Sequence, residues 1–207
     1  MPPEPIILAF DTAAAHCAAV VVQGGEVLAQ RVEPMQKGQA ERLFPLMEEL
    51  LQEAGENWQS LDAVGVGIGP GNFTGIRISV SAARGLALSL GIPAIGVSRL
   101  EAMAFGLTGT ALIDARQNRV YQQEFQGGGA QGDVSLLALE DVIAPVPIAD
   151  GPLGLDGLTR VSVETSLRNM AALVAMRLGQ DNPRPAPLYV RAPDAALPAD
   201  PPPTILP

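Results

Sequence analysis

Two apolar runs of the same shape, each closed by an aspartate, limit the folds open to this chain more than any other feature. Ile6 to Phe10 is a short continuous apolar run ended by Asp11-Thr12, and Ala111-Leu112-Ile113 is another ended by Asp114. Runs of this length bounded by turn residues are the pattern of strands buried on both faces. Cys17 to Val22 and Val27 to Val32 supply two further strands, with Gly24-Gly25 between them as a tight hairpin turn. The chain therefore opens as a three-stranded antiparallel meander. After Asp114 a four-residue turn leads into a returning strand, Val120 to Phe125. Asp11 and Asp114 hold matching places in two strand-turn-strand units about 100 residues apart, which suggests a duplicated lobe and not a short-repeat solenoid. The alternative is that any hairpin can carry an Asp at its turn.

Between and after these units the pattern alternates. Gln39 to Ala54 places Leu43, Met47, Leu50 and Ala54 at helical spacing, and Pro45 requires that helix to start near Phe44 or to kink there. Leu61 to Ile68 reads as a strand, Ile76 to Leu90 as a helix and Ile92 to Val97 as a second strand, which together make a parallel βαβ unit. Gly127-Gly128-Gly129 reads as a flexible loop, and Thr165 to Leu178 as a helix stopped by Gly179. Asp181 to Pro207 holds nine prolines, too many for a packed element, and reads as an extended strap around Leu188-Tyr189-Val190 followed by a disordered tail. The resulting division is a first lobe over 1–104, a second, reduced lobe over 105–191, and a Pro-rich tail over 192–207.

Composition removes several chemistries. Thirteen Lys and Arg against 22 Asp and Glu leave a net charge of −9. An acidic chain is a poor autonomous nucleic-acid binder, because phosphate neutralisation supplies most non-specific affinity. Cys17, His16 and Lys37 are each the only residue of their type, so no disulfide can form within the chain and a Cys/His zinc site lacks ligands. Lys37 is followed by Gly38, so the phosphate-binding pattern ending in Gly-Lys-Ser/Thr is absent. A Ser-His-Asp relay would depend on His16, for which the sequence offers no orienting group. No charged segment precedes an apolar one at the N-terminus, and no apolar run approaches the roughly 20 residues that span a bilayer. The expectation is a cytoplasmic protein without membrane contact.

The stretch Gly67-Ile68-Gly69-Pro70-Gly71-Asn72-Phe73-Thr74-Gly75-Ile76-Arg77 has two readings. Its glycines and the start of the next helix could receive an anion. Alternatively they shape a tight strand-to-helix crossover, with Phe73 plugging the core and Thr74 as N-cap. Without a phosphate-binding Lys the second is preferred. On the following helix, Ile76, Val80, Ala83, Ala87 and Leu90 form one stripe, and Ile78, Ala82, Gly85 and Ser89 form another of mostly small residues. Two stripes exceed what one core needs, so the second is expected to face a partner, extended by Phe44 and Leu51 from the preceding helix. The competing reading covers both stripes with this chain's own second lobe. Arg77, Ser81 and Arg84 line one polar edge, where they could meet an acidic partner or simply be solvated.

Gly-Pro-Gly-Asn-Phe-Thr-Gly-Ile-Arg at 69–77 resembles the signature of the TsaB (YeaZ) family, which takes part in making threonylcarbamoyladenosine in tRNA. Further matches in the same order are Ile-Leu-Ala-Phe-Asp-Thr at 7–12, Ala-Glu-Arg-Leu-Phe-Pro-Leu at 40–46, Leu-Ile-Asp-Ala-Arg at 112–116 with Val120-Tyr121, and Pro-Leu-Tyr-Val-Arg at 187–191. Asn72 stands where the family usually has Ser, and Gln39 where it often has His. The resemblance implies an α/β, actin-like (ASKHA) fold of two ribonuclease-H-like lobes with mixed sheets. It also implies a non-catalytic scaffold and activator that binds the TsaD transferase, with TsaE as the ATPase partner, a homodimer when alone, and tRNA held only through the complex. In working members of that superfamily the two turns carry Asp and Gly around nucleotide phosphates. Here neither Asp11-Thr12-Ala13-Ala14 nor Asp114-Ala115-Arg116-Gln117 has glycine after the Asp, so both read as vestigial phosphate turns. Asp11 is then either a remnant metal or phosphate contact or, preferably, a turn-capping carboxylate. No catalytic residue, no metal and no tightly bound cofactor are expected, and a nucleotide at the joint with TsaD is left open. Ile78, Ala82, Gly85, Ser89, Phe44, Leu51, Arg77 and Arg84 are the expected interface. The rival reading is a small actin-like ATP-dependent kinase using Asp11 and Asp114; peptidase chemistry lacks ligands.

Overall fold

The computed structural model describes residues 4–190. Strands β1 (Ile6–Asp11), β2 (His16–Gln23) and β3 (Glu26–Pro34) form the expected antiparallel meander. Two parallel strands, β4 (Ala63–Gly67) and β5 (Ala94–Val97), complete a sheet of order β3-β2-β1-β4-β5. Both faces of this sheet are covered, which explains why its central strands read as unbroken apolar runs. Leu8, Phe10, Cys17, Ala19 and Val21 pack against helices α1 (Gln39–Glu53) and α2 (Phe73–Leu90). Ile7, Ala9, Ala18, Val20 and Val22 face the opposite way, onto α4 (Val163–Arg177). Helix α4 lies inside the segment read as the second lobe, yet its Leu167, Met170, Ala171 and Val174 build the core of the first sheet.

The second sheet repeats the first in reduced form. β6 (Gly109–Asp114) and β7 (Arg119–Gln126) have the same lengths as β1 and β2 and the same four-residue connection, residues 115–118 against 12–15. With β8 (Gly129–Ala138), β9 (Pro147–Ala149) and β10 (Thr159–Arg160), the order is β10-β9-β6-β7-β8, again three antiparallel strands followed by two parallel ones. A short helix, α3 (Arg99–Ala104), links the sheets and was not evident in the sequence. The duplication establishes an actin-like arrangement of two ribonuclease-H-like units.

Three local expectations are corrected. Gly127 and Gly128 are not a flexible loop: with φ of +56° and +82° they form the two-residue turn of the β7–β8 hairpin, a conformation with positive φ at both positions. Helix α1 starts at Gln39, ahead of Phe44, and runs through Pro45. Leu51, expected on the exposed side of α1, is 2% exposed and belongs to the core with Leu43, Leu46, Met47 and Leu50. That helix packs between the sheet and α2, so its buried face is wider than one stripe. The expected strap is observed as far as residue 190, where Leu188 N donates to Ile68 O (2.8 Å). The Pro-rich tail over 192–207 lies outside the described residues.

Candidate functional site

The glycine-rich crossover between β4 and α2 closes on the chain's own β1–β2 turn. A Cβ on Gly75 would stand 1.9 Å from the Thr12 carbonyl oxygen, and one on Gly71 would stand 2.2 Å from that of Ala13. Asn72 N donates to Ala13 O (2.7 Å), and Thr12 Oγ1 donates to Gly75 O (2.7 Å). The glycines are thus required for the close approach of two backbone segments, as the crossover reading expects. Its details differ from expectation. The N-cap is Asn72, whose Oδ1 accepts from Gly75 N (2.9 Å), and not Thr74. Phe73 is 44% exposed and plugs no core; its ring lies under the Arg77 guanidinium (3.7 Å) and beside Tyr189, whose hydroxyl accepts from Arg77 Nε (2.9 Å). Arg77 therefore ties the strap to α2.

The two turn aspartates have unlike environments. Asp11 is 3% exposed. Its Oδ2 accepts from His16 Nε2 (2.8 Å) and lies 3.7 Å from Arg99 Nε, while Oδ1 has no hydrogen-bond partner. Burial pushes the Asp11 carboxyl up, but the His16 hydrogen bond, followed by the charge of Arg99, outweighs it and holds the group below the ordinary range. An ion-pair role is thus added to the expected turn-capping one, because the Ala13 backbone N–H also helps hold this carboxyl down. His16, for which no orienting group was visible, gains one in Asp11. Asp114 is exposed and does cap its turn, its Oδ1 accepting from Arg116 N (2.8 Å). Arg116, Gln117 and Asn118 continue in left-handed conformation at φ of 63°, 53° and 57°.

Asp114 and Arg116 border a cleft of about 990 Å³ between the sheets, with Ala13, Lys37, Phe73 and Tyr189 on its other walls. Arg99 stands at its floor. Arg99 Nη2 donates to Asp150 Oδ2 (2.5 Å) and Nη1 to the Pro70 carbonyl (3.0 Å). Neither Arg99 nor Asp150 carried a signal in the sequence, because each becomes meaningful only through partners from other elements. Nucleophilic candidates are weak. Burial pushes the Cys17 thiol up to about 11. Ser166 shares a small cavity with Asp11 and His16, but its hydroxyl has no hydrogen-bond partner.

The outer face of α2 is open. Ile78 and Ala82 are half-buried against the core, whereas Gly85 and Ser89 are exposed, and a Cβ on Gly85 would meet no atom within 4 Å. The described part of the second lobe does not cover this stripe. Phe44 is exposed beside Trp58 (ring centroids 6.3 Å apart), and Arg77 and Arg84 are exposed. Leu88, missed in the sequence, is 87% exposed. An apolar residue beside Arg84 and Ser89 on an otherwise polar arc was the available clue. No described helix is long and apolar enough to cross a membrane.

Residues 26–147 match the family model of TsaD, tRNA N6-adenosine threonylcarbamoyltransferase. The chain is 36% identical over 197 residues to an uncharacterized protein of Mycobacterium tuberculosis, covering 91% of this chain and 93% of the relative. It is 39% identical over 127 residues to the tRNA threonylcarbamoyladenosine biosynthesis protein TsaB of Escherichia coli, 58% of this chain and 54% of that protein. Two solved structures from Pseudomonas aeruginosa share the fold. YeaZ superposes with a TM-score of 0.71 at 26% identity over 89% of this chain and 99% of its own. An uncharacterized protein with similarity to peptidase YEAZ gives 0.73 at 27% over 90% and 100%. With its duplicated sheets and these matches along nearly its whole length, the chain belongs to the TsaD-related proteins and, within them, to the TsaB/YeaZ family.

Proposed function

We propose that this chain is a non-catalytic scaffold and activator in the synthesis of threonylcarbamoyladenosine in tRNA, presenting the α1–α2 face to TsaD. The observation that carries this reading is the uncovered stripe on α2: Gly85 with no neighbour at its Cβ and Leu88 exposed on the same helix, with Phe44 exposed on α1. An apolar, small-residue face allows close approach of a partner helix, and a monomer gains nothing by leaving it wet. The same face would pair two copies of the chain in the absence of TsaD. ATP chemistry, with TsaE as its ATPase, and most tRNA contacts then belong to partners; a nucleotide at the joint with TsaD would lie beside Arg77 and Arg84.

Kinase and peptidase readings have the site against them. Both phosphate turns lack glycine after the Asp, and the Cys17 thiol is buried and protonated. The test is co-purification of the chain with TsaD, followed by tRNA modification by TsaD and TsaE with and without it. Modification that proceeds at the same rate without this chain refutes the activator role.

A further inference from the structure

An actin-like fold implies a metal-bound nucleotide between its lobes, and the residues of this cleft do not fit one. The first turn, residues 12–15, has no glycine after Asp11, and its Thr12 and Ala13 carbonyls pack against the backbone around Gly71 and Gly75. The Asp11 carboxylate is engaged by His16 and faces Arg99, and among the described residues no group of three or more His, Cys, Asp or Glu could hold a metal ion. What stands between the lobes instead is a guanidinium. Arg99 is buried at the start of α3, the link between the two sheets. Its backbone N donates to Gly69 O (2.8 Å) and its Nη1 to Pro70 O, both in the β4–α2 crossover; its Nε faces Asp11 at the end of β1; its Nη2 holds Asp150, just beyond β9 of the second sheet.

We propose that Arg99 is the cleft's resident cation: it supplies from within the chain the positive charge that a nucleotide's divalent metal ion would bring to the Asp11 carboxylate in an actin-like enzyme, and it fixes the two lobes relative to one another without any ligand. The chemistry suits the role. A guanidinium stays charged at every accessible pH and spreads its donors in a planar fork, so one side chain can serve acceptors on three elements at once. Its position also explains why a cleft of about 990 Å³ need not close around a substrate: the floor is already pinned. This inference is independent of the partner face on α2.

Three measurements on the full chain test it. Arg99→Met leaves Asp11 and Asp150 without their shared cation, and a broken buried pair should lower the unfolding temperature by roughly 6–20 °C. Adding Asp150→Asn to Arg99→Met removes one of the stranded charges and should restore part of that loss, whereas a packing role for the arginine stem alone predicts no restoration. Wild-type protein should show no shift in unfolding temperature with MgCl2, ATP or both together. Asp150→Asn alone, which leaves Arg99 facing Asp11, covers the case in which Arg99→Met does not fold; it should speed hydrogen exchange in residues 69–72 and 147–150. An unchanged melt for Arg99→Met, no restoration in the double variant, unchanged exchange in Asp150→Asn, or a wild type stabilised by Mg·ATP would each overturn the proposal.

Discussion

Gly85 offers the sharpest separation of scaffold from enzyme. It lies in the interior of the 18-residue helix α2, is exposed, and a Cβ built on it meets no heavy atom within 4 Å. Its φ is not in the left-handed region, so nothing in the backbone requires glycine there. Glycine in a helix interior is less favourable than alanine by about 1 kcal/mol, so Gly85→Ala should stabilise the isolated chain by up to that amount, or by about 2–4 °C in Tm. A chain that keeps glycine where alanine fits and stabilises retains it for what approaches from outside. Gly85→Trp keeps the core intact, because Ile76, Val80, Ala83 and Leu86 lie on the buried side of the helix, but it places a bulky ring in the proposed joint. An overpacking cost of about 1–3 kcal/mol lowers affinity by roughly 5- to 150-fold. The expected outcome is a folded, soluble variant with a near wild-type melt, weakened self-association in analytical ultracentrifugation, weakened TsaD binding in calorimetry, and loss of support for tRNA modification. A variant that unfolds would place Gly85 in a packed environment. One that binds TsaD and supports modification as wild type does would remove α2 from the interface.

Three further outcomes follow from the cleft and the charge balance. Gly75→Ala drives a methyl into the Thr12 carbonyl oxygen, so the β1–β2 turn must move; thermal melts should show a loss of several kcal/mol, about 3 or more, and a wild-type melt would refute the close-approach account of this stretch. Asp11 titrates below its ordinary value of 3.8 in the folded state. Its stabilising contribution is therefore complete above that pH and disappears as pH falls through the lower folded value, so the gap in Tm between wild type and Asp11→Asn should be widest near neutrality and close in acid below about pH 4; a gap independent of pH would contradict the ion-pair role. With a net charge of −9 the isolated chain should hold tRNA only weakly at physiological salt, and tight binding with a steep salt slope that Arg77→Ala or Arg84→Ala flattens would move RNA contacts onto this chain.

The legibility of this protein divides along the reach of the interactions involved. The strand-turn-strand units were readable because the first strand of each is apolar on both faces, so burial leaves a continuous run closed by a polar turn residue. α2 and α4 were readable because each buries a stripe with helical period, and the second stripe on α2 because small residues at helical spacing are a local pattern. Elements with weaker local signals were lost. β8 is an edge strand whose first residues, Gly129 to Asp133, are exposed, and α3 has only six residues, too few to display a period.

The site divides in the same way. Asp11 and Asp114 stood out by position, but the difference between their surroundings did not: Asp11 is buried and paired with His16 and Arg99, while Asp114 is exposed and caps its turn. Phe73 reads as core by side-chain type and is held outside by stacking with Arg77 and Tyr189, the latter 116 positions along the chain from it. By itself the sequence determined the duplicated strand pattern, the absence of disulfide, zinc and Lys-dependent phosphate chemistry, and the surplus stripe on α2, since each is a property of residue type and local period. Tertiary structure alone decided that Leu51 is core, that α4 serves the first sheet, that the glycines of the crossover close on Thr12 and Ala13, and that Arg99 stands between Asp11 and Asp150. Those outcomes depend on which distant groups share a desolvated space, where a charge is stable only beside its partner, and local spacing carries no record of that neighbour.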